Sequence, residues 1–358
     1  VISEESVEAR IEQRRRARPR FKDERITMAH GAGGKATRAL VEGLIVPAFD
    51  NAILSQLGDA AVLTDLGNGD IAMTTDTFVV RPIRFPGGSI GELAVNGTVN
   101  DLAVSGARPV ALAVGLVLEE GLDAETLRAE IGAIAGAARA AGVAVTCGDT
   151  KVVERGKGDQ LYVNTTGIGV IDDRARLDPA SVVVGDRVLV SGPIGDHGIA
   201  ILIARGDLDI RADLASDTAD LWPLVDAVLE ACGPAVRCMR DATRGGVATV
   251  LNEIALAAEV GVVLDEAAVP VRPVVTGACE LLGLDPLYVA NEGRLVAFVA
   301  PEAAQAAVAA MRTVAAGDGA AIVGEVTEEP PGRVLGRTTF GGHRMIDVLV
   351  GDPLPRIC

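Results

Sequence analysis

Apolar and polar positions alternate in blocks that read as mixed strand and helix along the whole chain. Ile71–Thr75, Ala111–Leu118, Val143–Thr146 and Leu161–Ile171 are short apolar runs bounded by turn residues, which predicts strands. Between them, Ile90, Leu93, Ala94, Val99, Leu102 and Ala103 recur near helical spacing up to Gly106. Asp123 can cap a second helix, with Leu127, Ile131, Ile134 and Ala138 on one face and Gly142 as its stop. The chain turns polar over Asp172–Gly185, around Pro179, and this seam divides the pattern into halves. Beyond it, strands are predicted at Arg187–Val190, Val262–Leu264, Leu295–Val299 and Ala321–Val326. Helices are predicted at His197–Ala204, Leu221–Ala231, Gly246–Glu259 and Glu302–Val314. Two strand-like runs, Arg333–Thr338 and Met345–Val350, follow Pro330–Pro331. The closing Gly351–Cys358 holds two prolines and reads as a stiff, extended tail. No period of 20–50 residues recurs, which argues against a solenoid.

The length of 358 residues suggests two domains. An apolar content of 49% excludes whole-chain disorder. Aromatics are only 3%, so Ala, Val, Leu and Ile must build the cores. The net charge of −16 repels nucleic acid, and an anionic substrate such as a nucleotide would need bound metal ions to offset it. No apolar run reaches the ~18 residues of a membrane span. Val1–Arg20 carries an arginine cluster and lacks the apolar segment of a secretory signal, so an extension and a cytoplasmic chain are expected. No C-x-x-C occurs among the five cysteines; Cys147, Cys232, Cys238 and Cys279 read as small buried hydrophobes.

Four features could carry chemistry. His30-Gly31-Ala32-Gly33-Gly34-Lys35 is either a phosphate-wrapping loop or a plain turn. Asp59, Asp76, Asp101, Asp149 and Asp241 stand at turns or strand ends beside Gly or Thr. Each alone reads more simply as a cap or a solvated turn; together they suit oxygen-only coordination of magnesium. Lys151 and Glu292 are surface charges, or, if they converge, an acid/base pair. Cys358 offers a thiolate nucleophile with Arg356 nearby to favour it, and eight extended residues span roughly 26 Å.

As a set, the motifs resemble one family. They are H-G-A-G-G-K (His30–Lys35), T-T-D-T (Thr74–Thr77), F-P-G-G (Phe85–Gly88), N-D-L-A-V-S-G-A (Asn100–Ala107) and G-D-T-K-V-V (Gly148–Val153). R-D-A-T-R-G-G (Arg240–Gly246), N-E-G (Asn291–Gly293) and P-R-I-C (Pro355–Cys358) follow in order. Together they are similar to the HypE family of hydrogenase maturation proteins, in the PurM-like superfamily of aminoimidazole ribonucleotide synthetase, selenophosphate synthetase and thiamine-phosphate kinase. The resemblance covers Ile26 to Cys358, and the terminal P-R-I-C separates the HypE family from its relatives.

The resemblance implies an α+β, two-domain PurM-like fold. It implies an extension over 1–25, an ATP-binding domain over 26–175, a C-terminal α/β sandwich over 176–335, and a strand with a mobile tail over 336–358. It further implies a homodimer with a barrel-like interface between N-terminal domains. The implied reaction is ATP-dependent dehydration of a carbamoyl group on Cys358 to a thiocyanate, a source of cyanide ligands for the nickel–iron hydrogenase centre. HypF would load the carbamoyl group and a HypC–HypD complex would receive the product. Lys151 and Glu292 would be the acid/base groups. Gly33, Gly34, Lys35, Thr75, Asn100, Asp149 and Thr243 would bind ATP or its phosphates. Asp59, Asp76, Asp101 and Asp241 would hold Mg2+. No nucleic acid or membrane partner is expected. Val1–Arg25 has no counterpart in the family, and Gly58-Asp59-Ala60-Ala61 stands where many relatives carry an acidic pair. The competing readings are a selenophosphate synthetase or thiamine-phosphate kinase, and a thiol carrier without catalysis. The absence of Cys before Cys147 argues against the first of these.

Overall fold

The computed structural model describes residues 21–23, 34–46, 56–57, 60–63, 69–206, 212–338, 340–349 and 356–358. The first half runs α1 (Lys35–Leu40), β1 (Ala61–Leu63), β2 (Ile71–Phe78), β3 (Arg84–Phe85), β4 (Gly88–Ser89), α2 (Ile90–Val104), β5 (Ala107–Glu119), α3 (Ala124–Ala140), β6 (Ala144–Val153) and β7 (Leu161–Ile171). The second half runs β8 (Arg187–Val190), α4 (Asp196–Arg205), α5 (Trp222–Cys232), β9 (Val236–Asp241), α6 (Gly246–Ala258) and β10 (Gly261–Asp265). It continues through α7 (Pro273–Leu282), β11 (Leu295–Val299), α8 (Ala304–Met311), β12 (Ala321–Thr327), β13 (Arg333–Arg337) and β14 (His343–Ile346).

Two sheets result. The first has the order β1-β2-β7-β5-β6, with β5 and β6 parallel and joined through α3. The Asp123 side chain caps α3 by accepting from Thr126 N at 3.0 Å. The second has the order β14-β13-β10-β12-β8-β11-β9. Helix α2 is apolar on nearly every side, the pattern of a helix buried all round. It packs on β2, β5 and β7 and also meets β9 and α5, so it joins the two halves. A Cβ at Gly97 would stand 2.8 Å from Phe78, which is why the helix can lie so close to β2. Side chains along β2 alternate: Ala72, Thr74 and Phe78 turn toward α2, while Met73 and Thr75 turn to the outer face.

The predicted strands and helices are present, with several differences. Strand β6 extends to Val153, so Gly148-Asp149-Thr150-Lys151 lies inside a strand and not at its end. Asp76 likewise lies inside β2. In the Met345–Val350 run the strand ends at Ile346, and Val350 lies outside the described residues. Strand β9 escaped the pattern because Arg237 and Arg240 interrupt its apolar residues; Val236, Cys238 and Met239 are the buried ones. Helix α7 also escaped it. Cys147 is exposed and Cys232 only half-buried, against expectation, while Cys238 and Cys279 are buried as expected. Among the described residues, no helix is long and apolar enough to cross a membrane.

Candidate functional site

The site is built around Glu292, in the loop that enters β11. Its neighbours explain the Asn-Glu-Gly spelling. Asn291 Oδ1 accepts from Gly195 N at 2.7 Å, and Asn291 Nδ2 donates to the carbonyls of Ala242 (2.8 Å) and Val289 (3.1 Å). Glu292 N donates to Asp217 Oδ1 at 3.0 Å. A Cβ at Gly293 would fall 1.9 Å from the Asp217 carbonyl, so only glycine fits. Glu292 is 3% exposed, and its Oε1 is buried without a hydrogen bond. Burial pushes its carboxyl well above the usual range; Asp241, Asp76 and Asp217 add to this and Arg244 opposes it.

The electrostatic neighbours of Glu292 are therefore the aspartates of three separate segments. Burial raises Asp76 as well, against the pull of Arg244 and a hydrogen bond from Thr77 N. Asp101, on α2, accepts from Thr74 Oγ1 at 2.8 Å. Asp241 ends β9 and is 8% exposed. Thr243, half-buried, precedes the Gly245–Gly246 pair that opens α6; both glycines have positive φ, 79° and 60°. No three His, Cys, Asp or Glu side chains among the described residues are grouped to cage a metal by themselves. Magnesium is commonly held by one or two carboxylates together with substrate phosphates. The set suits that mode, and the mouth of α6 beside Arg244 suits an anion.

Other expected site residues lie elsewhere. Strand pairing puts Thr75, Thr166, Ala113 and Cys147 in one row of the outer sheet face, with Asn164, Gly115 and Asp149 in the next. Lys151 follows on the same face and pairs with Asp149 at 2.7 Å. That hydrogen bond holds Asp149 below its usual range. Strand β6 is three strands from β2, about 14 Å. The structure thus does not bring Lys151 and Glu292 together within one chain. Asn100, expected on phosphate, is instead buried and committed: Nδ2 donates to the carbonyls of Ala219 (3.0 Å) and Glu292 (3.1 Å), and Oδ1 accepts from Leu221 N (2.8 Å). Gly34 caps α1, and Lys35 Nζ stands 3.4 Å from Asp347 Oδ2, beside the chain that leads to the tail. Gly33 and Asp59 lie outside the described residues.

The expected mobile tail ends in a docked position. Val79 N donates to the Cys358 carbonyl at 3.0 Å and Arg81 N to the Arg356 carbonyl at 3.2 Å. Ile357 is buried, and Cys358 is half-buried against the same core. Val79 lies three residues beyond Asp76, about 10 Å along the strand. The thiol-bearing residue therefore rests near the strand that carries Asp76 toward Glu292.

Four participants were not singled out as site residues. Arg244 sits inside the quoted R-D-A-T-R-G-G motif. Asp217 and Arg294, 3.6 Å apart, hold the Glu292 loop from behind. His197 reaches the tail. Asp217 and His197 carry no local signal, because their partners lie 75 and 160 residues away.

Comparison with known proteins gives the geometry a context. Residues 57–171 match the family described as AIR synthase related protein, N-terminal domain, and residues 183–336 match its C-terminal domain. The chain is 50% identical over 342 residues to a carbamoyl dehydratase HypE of Rhodobacter capsulatus, covering 94% of this chain and 99% of that one. A crystal structure of a HypE–HypF complex superposes with a TM-score of 0.82 at 42% identity, over 87% of this chain and all of that one. A crystal structure of a HypE protein in complex with ATP gives 0.78 at 45% identity, over 93% and all of the respective chains.

Proposed function

This chain belongs to the AIR synthase related family and, within it, to the HypE carbamoyl dehydratases, and on that premise we propose how its residues share the reaction. The protein is an ATP-dependent carbamoyl dehydratase of hydrogenase maturation. HypF loads a carbamoyl group onto the Cys358 sulfur. The carbamoyl oxygen, a poor leaving group, is phosphorylated at the expense of ATP. Loss of that phosphate and of both nitrogen-bound protons leaves S–C≡N on Cys358. A HypC–HypD complex takes the cyano group.

Glu292 is the base in this reading. It is buried, its basicity is raised, and it keeps one oxygen without a hydrogen bond. Asp76 and Asp241, which repel a charge on Glu292 from two segments, and Asp101, whose partner Thr74 lies two residues before Asp76, are the residues to hold magnesium. When bound, magnesium offsets negative charge on the phosphates and carboxylates. Thr243, Arg244 and the first turn of α6 receive phosphate oxygens. Asn100 acts from behind by positioning the Glu292 backbone.

Lys151, Asp149 and Thr75 stand on the outer sheet face together with exposed Met73 and Ile168. A homodimer packed through this face accounts for apolar side chains left in water there. Lys151 then serves a site completed by a second copy.

The docking of Cys358 on Val79, three residues along the chain from Asp76, in a chain half identical to a named carbamoyl dehydratase, carries the reading. Intact mass after incubation with HypF, carbamoyl phosphate and Mg-ATP tests it. Carbamoylation adds about 43 Da at the thiol and dehydration removes about 18 Da. A carbamoyl adduct that never loses water would leave only a carrier.

A further inference from the structure

The F-P-G-G motif finds no use in the chemistry above, yet it is packed with care. Gly87 lies in the turn between β3 and β4 with φ 91°, and a Cβ there would stand 2.7 Å from Ser216 N. Ser216 N donates to the Pro86 carbonyl at 2.8 Å. The motif thus seats Ser216. Ser216 Oγ accepts from Thr218 N at 3.1 Å and lies 2.7 Å from His197 Nδ1. A hydroxyl that accepts from Thr218 has its proton free for Nδ1. This network assigns the imidazole proton to Nε2, which donates to the Ile357 carbonyl at 2.5 Å. The Phe85 ring meets the His197 ring edge to face at 5.6 Å.

All three carbonyls of the last three residues are held. The Arg356 carbonyl accepts from Arg81 N and from the Arg205 guanidinium, the Ile357 carbonyl from His197, and the Cys358 carbonyl from Val79 N. The Ile357 side chain fills an apolar pocket, and Arg356 pairs with Asp159 at 2.5 Å.

We propose that His197, oriented by Ser216 and the F-P-G-G turn, is a positioning residue that latches the tail through the Ile357 carbonyl and so fixes where the Cys358 thiol stands. The proposal rests on the reading that Cys358 leaves to be loaded and returns to react. A single-residue slip of the tail would move the thiol by about 3.3 Å, enough to spoil a reacting geometry. The apolar pocket for Ile357 sets the register, and the fixed donor of His197 holds it.

The test is the alkylation rate of Cys358 in the intact protein, read by peptide mass with added glutathione as internal control. His197→Phe keeps the aromatic shape and removes the donor. His197→Gln places an amide N–H near the same point. The expected result is a rise of about tenfold for His197→Phe, as loss of one buried hydrogen bond implies, and a return toward the wild-type rate for His197→Gln. A His197→Phe rate within twofold of wild type overturns the latch, and so does an equal rise in both variants. Should His197→Phe fail to fold, imidazole 15N shifts of the wild-type chain decide. The Nε2–H tautomer of His197 is expected, with a shift change when Arg356–Cys358 are deleted. An unchanged signal overturns the proposal. None of these readouts needs turnover, so they stand apart from the mass test of the dehydratase.

Discussion

Asn100 Nδ2 donates to the Glu292 carbonyl across 3.1 Å, tying the central helix of the first half to the loop that carries the base in the second. The same side chain fixes Ala219 and Leu221, which follow Asp217 in the chain. One amide therefore sets the distance between α2, which carries Asp101, and Glu292. Replacing it by alanine leaves two carbonyls and one N–H buried without it. Each such group costs about 1–3 kcal/mol. Asn100→Ala is expected to lower the urea midpoint and the dehydration rate together, while carbamoylation of Cys358 by HypF, which does not use Glu292, persists.

Glu292→Gln keeps the shape and removes the base. The dehydration rate is expected to fall about 10²–10⁴-fold, the usual contribution of a positioned acid/base group. Stability is expected to move the other way. Asp241, Asp76 and Asp217 all repel a charge on Glu292, and the neutral amide escapes them. Single-turnover mass spectrometry and a melting curve on the same sample check both signs. A melting temperature that falls would contradict the electrostatic account.

Lys151 and Glu292 face opposite sides of the first sheet, so a site that needs both must draw them from two chains. Lys151→Ala and Glu292→Ala proteins, each inactive, are expected to regain activity when mixed and allowed to exchange subunits. About half of the dimers would be mixed, each with one site free of both substitutions. No recovery after proven exchange would confine both residues to one chain or remove Lys151 from the chemistry.

Acid should weaken the fold through His197. Burial holds its pKa down to about 4, against an ordinary value of 6.5, and the Ile357 carbonyl only partly opposes this. The unfolded chain takes up a proton first. The contribution is therefore fully present above pH 6.5 and is lost as pH falls from 6.5 to about 4, at roughly 1.4 kcal/mol per unit. Urea midpoints across that window should fall less steeply for His197→Gln, which has nothing to titrate.

Much of this was legible along the chain. Period-2 and period-3.6 patterns located most strands and helices, because side-chain direction within an element is a local property. Gly and Asp motifs named the residue types of the site, since tight turns and oxygen ligands demand them locally. That Glu292 stands beside Asp76 and Asp241 is a grouping the motifs did not state.

What the chain alone could not decide was parity and partnership. Whether Lys151 faces α2 or the outside depends on the register of β6 against β5, and that register shifts between Leu112 and Ala113. One residue of slip exchanges the faces of a strand. Asn100 reads as a ligand until the second half of the chain is packed on it. His197 has no motif of its own, because its donor and acceptor come from Ser216 and Ile357. The sequence determined the fold, the chemistry of the motifs and the thiol at its last residue. Tertiary packing decided which of those groups meet, because hydrogen bonds between distant segments exist only once the two sheets have closed on α2.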